Sequence, residues 1–108
     1  MTPLPEIRVR LSADAPRAAV FQPLLLVAGS RAGLSLEQID DLAMAIELLL
    51  AHGNADDLRA EFSISPGDLQ ITLTPVDLSW VERRRAMFDA LVAEVGGESG
   101  RVMLRVRA

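Results

Sequence analysis

The stretch Ser35 to Asn54, SLEQIDDLAMAIELLLAHGN, decides how the chain is read. Ser35 followed three residues later by Gln38 is a capping box, in which each side chain satisfies the other residue's backbone N–H. Glu37, Asp40 and Asp41 suit the positive amino-terminal end of the helix that this box opens. Leu36, Ile39, Leu42, Ala43, Ile46, Leu49 and Leu50 recur at helical spacing and predict a core-facing stripe. Gly53 and Asn54 stop the helix. Within this apolar run stands one carboxylate, Glu47, between Ile46 and Leu48, with Ala51 one turn later. A lone acid in apolar surroundings must be neutralised, paired or put to use, because its charge is costly to desolvate.

Outward from this helix the other elements follow. Upstream, Glu6 to Leu11 (EIRVRL) alternates, with Ile7, Val9 and Leu11 on one face and arginines on the other, the pattern of a half-buried strand. Asp14 offers a cap before Pro16, and Arg17 to Arg31 reads as a helix that Pro23 should kink or delay and Gly33 ends. Downstream, Leu58–Ser65 and Leu69–Thr74 alternate about Pro66-Gly67-Asp68, which predicts an antiparallel hairpin. Ser79 is expected to cap a helix from Trp80 to about Val95, with Gly96, Gly97 and Gly100 around a turn and Arg101–Arg107 as the last strand. The order β-α-α-β-β-α-β predicts an α+β two-layer sandwich, three helices on one face of a mixed four-stranded sheet.

The 108 residues suffice for one domain spanning 1–108, and half of them are apolar. The chain has no cysteine, which excludes disulfides, thiolate metal sites and cysteine nucleophiles. All 11 basic residues are arginines, so lysine Schiff bases and a P-loop lysine are excluded as well. A formal net charge of −4 argues against sequence-independent binding to nucleic acid or to an anionic membrane. No leader-like stretch and no bilayer-length apolar run is present in the sequence, which makes a cytoplasmic location the expectation.

Element order and local sequence together resemble the GHKL (histidine-kinase-like) ATPase superfamily, above all its anti-sigma-factor serine kinases. In that branch a "gls" turn leads into a helix reading roughly D-x-x-x-A-x-x-E-x-x-x-N-x-x-x-H. Here Gly33-Leu34-Ser35 precedes the stretch from Asp41 to His52, in which Glu47 and Ala51 stand at the spacing of the motif's glutamate and asparagine. The strand ending Pro75-Val76-Asp77 is similar to the family's adenine-reading strand, and Met87–Arg107 looks like its final helix and strand. The resemblance implies a Bergerat-like fold, with Glu47 in the place of the general base and Asp77 in that of the adenine-reading aspartate.

Three departures stand out. Ala51 occupies the position of the magnesium-ligating asparagine and can ligate nothing. Asp77 is followed by Leu78-Ser79-Trp80-Val81, without the glycines of the family's loop. The lid over the phosphates is missing. Together they imply a degenerate, non-catalytic member with no cofactor and no metal. Its expected role is regulation of transcription or stress response through a protein partner: a sigma factor, an anti-anti-sigma factor or a paralogue, with a homodimer as a further expectation. The alternative is a nucleotide-binding regulator or a weak serine/threonine kinase using Glu47 and Asp77.

Each candidate also has a bland reading. Glu47 is a relic acid, bonded to an arginine or facing a residual cleft, and Asp77 is the cap of the helix after it. His52, the only histidine, suits a helix carboxyl end, and Asn54 a helix-ending turn. Arg83, Arg84 and Arg85 fan around their helix and cannot form one anion clamp. Arg17 and Trp80 are the candidate partner contacts; Arg17 could equally solvate its helix start, and Trp80 could fill the vacated nucleotide pocket as core.

Overall fold

Alternation in the sequence becomes a sheet with one apolar and one polar face. The computed structural model describes residues 6–12, 14–51 and 57–108. Strands β1 (Ile7–Leu11), β2 (Leu58–Ser65), β3 (Asp68–Thr74), β4 (Glu94–Glu98) and β5 (Arg101–Arg107) form one sheet in the order β1-β2-β3-β5-β4. Every neighbouring pair is antiparallel. Helices α1 (Arg17–Ala32), α2 (Leu36–Ala51), α3 (Leu78–Arg83) and α4 (Arg85–Leu91) are the other elements among the described residues. The fold is α+β, but the expected mixed four-stranded sheet with three helices is corrected to a five-stranded antiparallel sheet with four.

That correction has a local cause. The helix expected from Trp80 to Val95 breaks at Arg84 (φ −119, ψ 22) and ends at Leu91, with Val92 already extended (φ −133, ψ 160). Residues 94–98 form an edge strand whose turn into β5 lies at Ser99 (φ 54) and Gly100 (φ 75). Two successive residues with positive φ are the backbone of a type I′ turn, whose twist matches that of a two-residue hairpin. Gly96 and Gly97 therefore lie inside a strand, and Val95 points into the core from the sheet instead of from a helix.

Most other local signals are realised. Ser35 and Gln38 form the capping box, with Gln38 N–H to Ser35 Oγ at 3.1 Å and Ser35 N–H to Gln38 Oε1 at 3.0 Å. The Gln38 amide nitrogen also donates to the Arg107 carbonyl at 2.6 Å, tying the start of α2 to the end of β5. Gly33 ends α1 in the left-handed region at φ 82, its N–H directed to the Gly29 and Ser30 carbonyls. The Pro66-Gly67 turn gives its Gly67 N–H to the Ala32 carbonyl at 2.8 Å, satisfying an end of α1 that would otherwise lack a donor.

Three expectations about the helices are overturned. Asp14 does not cap α1: Pro16 holds the cap position and no side chain bonds there. Pro23 does not delay the start, since α1 begins at Arg17 and runs on through it. Both Pro23 and Ala19, whose carbonyl the ring deprives of a donor, are exposed, so water can take that carbonyl up. In α2 the buried residues are Ile39, Leu42, Ala45, Ile46 and Leu49, whereas Leu36 is 70% exposed. The expected stop at Gly53 and Asn54 lies outside the described residues.

The core forms between this helical layer and the inward side chains of the strands. Phe21 of α1 meets Phe62 of β2 with ring centroids 6.2 Å apart, and Leu25, Leu42, Ile46, Ile71, Phe88 and Leu104 are buried around them. Helices α1 and α2 approach closely at Gly29, where a Cβ would lie only 2.6 Å from Ile39 Cγ1.

The sheet's open face is polar and carries cross-strand ion pairs. Arg105 of β5 grips Asp68 of β3 with two parallel bonds, Nε–Oδ1 at 2.9 Å and Nη2–Oδ2 at 2.7 Å, and Glu94 lies beside Arg105 and Arg107. Hydrogen bonding to Arg105, helped by its charge and opposed by desolvation, holds the Asp68 carboxyl below its ordinary 3.8. A lowered folded-state value means that the stabilisation is fully present above the unfolded value and is lost as pH falls through the folded one. Asp68→Asn should therefore cost up to about 1 kcal/mol near neutral pH. Denaturation midpoints of the two proteins should converge in acid, and an unchanged gap at about pH 2.5 would contradict this assignment.

Candidate functional site

The outward side of α2 follows the spacing 36, 40, 44, 47, 51, one line of a helix surface. It presents Leu36, Asp40, Met44, Glu47 and Ala51, all exposed. Glu47 is thus not a desolvated acid, and the premise that it must be neutralised or paired is corrected. The residues between Asp41 and Leu50 are apolar apart from Glu47 because α2 is apolar on more than its buried face. Among the described residues no arginine bonds to Glu47, so the expected arginine partner is absent there. What Glu47 does face is a cleft. It lines two adjoining hollows between α1 and α2, one deep beside Phe21, Leu25 and Ile46, the other an open groove of about 410 Å³.

This groove combines apolar walls with an acidic rim. Leu25 and Leu26 of α1 and Ala43 and Met44 of α2 line it, with Gln22, Asp40 and Glu47 supplying polar groups. Leu26 is 49% and Met44 53% exposed, and Val27 beside them is 53% exposed. Exposed apolar residues scattered singly are ordinary, but Leu26 and Met44 border one hollow, and Val27 adjoins Leu26 in the chain. The outward residues of α1 from Ala18 to Ser30 carry no charge, and Arg31 is engaged 3.3 Å from Glu6.

Asp77 has a different place. Its Oδ1 accepts the Ser79 N–H at 3.0 Å, the Trp80 N–H at 3.3 Å and the Ser79 hydroxyl at 2.6 Å. It is the N-cap of α3, which starts at Leu78, so the expected Ser79 cap with a start at Trp80 is corrected. The hollows lined by Glu47 consist of α1 and α2 residues alone, and Asp77 takes no part in them. Neither of these two hollows brings together the two acids that the family resemblance pairs in one site. Ala51, the last residue of α2, is exposed.

Trp80 is partly buried against the core, edge-on to Phe88 with centroids 6.0 Å apart. The Arg84 guanidinium carbon lies 4.5 Å from the Trp80 ring centre, a cation–π contact. The neighbouring arginines diverge as their helical positions require. Arg83 reaches toward Ser79, and Arg85 bonds Glu82 at 2.9 Å and the Val95 carbonyl at 2.7 Å, so it holds α4 to β4. Arg17 donates from Nε to the Ser12 carbonyl at 3.3 Å and braces the turn between β1 and α1. His52 and Asn54 lie outside the described residues.

Leu26, Asp40 and Met44 escaped the reading of the sequence as functional residues. The signal for them was present: α2 carries more apolar residues than one buried stripe can use, and the surplus at Leu36 and Met44 falls on the outward line. Among the described residues no helix is long and apolar enough to cross a membrane. No protein-family model matches the chain, and no curated protein matches it either.

Proposed function

We propose that this chain is a non-catalytic regulatory protein that acts by binding another protein. The observation that carries this reading is the exposed apolar surface at the α1–α2 groove, which no element among the described residues covers. Leaving Leu26, Val27 and Met44 in water forgoes the free energy of burying them, and a protein partner would recover it. Two further observations weigh against a kinase. Asp77 spends Oδ1 on capping its own helix, and the groove that Glu47 lines does not include Asp77. With Ala51 where a magnesium ligand is needed, neither acid has the surroundings that phosphoryl transfer requires. The sequence resemblance makes the chain a degenerate relative of anti-sigma-factor kinases with a Bergerat-like fold, and a sigma factor, an anti-anti-sigma factor or a paralogue the class of partner.

Calorimetric titration with ATP and ADP, with and without magnesium, tests this reading. No saturable heat is expected. Asp77→Ala should lower stability by about 1 kcal/mol through loss of the cap, equally with and without nucleotide. Saturable ATP binding that Asp77→Ala or Glu47→Ala abolishes would instead establish a nucleotide-binding regulator.

A further inference from the structure

We infer that the α1–α2 groove docks a basic amphipathic helix of the partner, an inference that rests on the protein-binding reading above. The occupant's secondary structure follows from what the groove offers. Its walls are side chains of two helices, whose backbone groups are already bonded within each helix, so an extended peptide would find few partners for its own N–H and C=O groups. A helix brings its backbone bonds with it and needs only an apolar stripe to lay into the hollow. Met44, at the exposed centre of α2, suits such a seat because an unbranched thioether side chain adapts to the shape laid against it.

The occupant's charge follows from the rim. Asp40 and Glu47 flank Met44 along one line of α2, and among the described residues neither has an ion-pair or hydrogen-bond partner. They stand two helical turns apart, about 10 Å at 1.5 Å per residue. A docked helix with arginines or lysines seven positions apart would present them at the same separation, with the apolar residues between them set over Met44 and Leu26. A second copy of this chain docked symmetrically would bring these same acids toward one another across the two-fold axis, which like-charge repulsion disfavours. Phosphate-bearing ligands are disfavoured by the same charges.

The probe is a synthetic alanine-based helix of about 18 residues, with a leucine stripe flanked by arginines seven apart, and a twin with glutamates in place of the arginines. Each is titrated into the full chain at low salt and followed by backbone amide NMR. Saturable micromolar binding of the arginine peptide is expected, with shifts confined to α1 and α2, and at least about tenfold weaker binding of its twin. Asp40→Arg with Glu47→Arg should reverse the preference, and Met44→Glu should weaken the arginine peptide's binding to the wild-type surface despite its added negative charge. These positions are exposed, and a melting curve of each variant checks that it folds. Absence of saturation by about 1 mM peptide, or a preference that survives the charge reversal, overturns the inference. So does a concentration-dependent dimer in sedimentation that Leu26→Glu abolishes, because the occupant would then be a second copy. ATP titration bears only on the non-catalytic reading, so the two can fail separately.

Discussion

Phe62→Ala should destabilise the chain by about 3–5 kcal/mol, the range for deleting a buried aromatic side chain. Phe62 is 0% exposed and sits on β2 between β1 and β3, in register with Ile7 and Ile71. Its ring faces Phe21 on α1, so truncation opens a void that backbone on both sides is too constrained to close. A domain of this size has about 5–15 kcal/mol of stability in total, so the variant should have little margin left. Urea denaturation measures the loss, with Phe62→Leu as a milder companion that keeps most of the volume. A loss below about 1 kcal/mol for the alanine variant would show that α1 does not pack on β2 as described.

Gly97→Val should cost about 1–3 kcal/mol or more, while Gly96→Val should be tolerated. A Cβ on Gly97 would lie 2.6 Å from the Arg101 carbonyl oxygen and 2.7 Å from Leu78 Cδ2, and a backbone atom within its own hairpin cannot step aside cheaply. On Gly96 the nearest atom is Met103 Cε at 3.5 Å, an ordinary contact, and valine is favoured in strands. The pair of variants tests the part of the fold in which expectation and structure diverge. Had the helix run to Val95 with Gly96 and Gly97 in the turn after it, no hairpin carbonyl would single out a Cβ at Gly97, and the two valines should lose similar stability. Equal melting temperatures for the two variants would argue against β4 as an edge strand.

These cases show where the fold was legible. The capping box at Ser35 and Gln38, the stop at Gly33 and the turn at Pro66-Gly67 each depend on bonds or dihedral angles within a few residues, and the structure realises all three. Alternation in residues 6–11, 58–65, 69–74 and 101–107 located four strands to within one residue, because a side-chain period of two is written directly into the chain. The fifth strand was not legible. EVGGE has a single apolar residue facing inward and two glycines that mimic a helix stop, so its identity depends on pairing with β5. A residue can also be correctly singled out and wrongly placed. Glu47 drew notice because its neighbours are apolar, yet periodicity cannot tell a helix apolar on two sides because it is buried from one that shows its second side to a partner.

By itself the sequence determined the α+β class, the antiparallel β2–β3 hairpin and the boundaries of most elements. Those depend on residue identity and on contacts a few positions long. Only the tertiary structure decided that the sheet has five strands, that Asp77 caps α3, and that Leu26, Met44, Asp40 and Glu47 border one groove. The strand count and the groove are set by how α1, α2 and the sheet pack on one another. Packing chooses which side of an apolar helix is covered, and no local pattern encodes that choice.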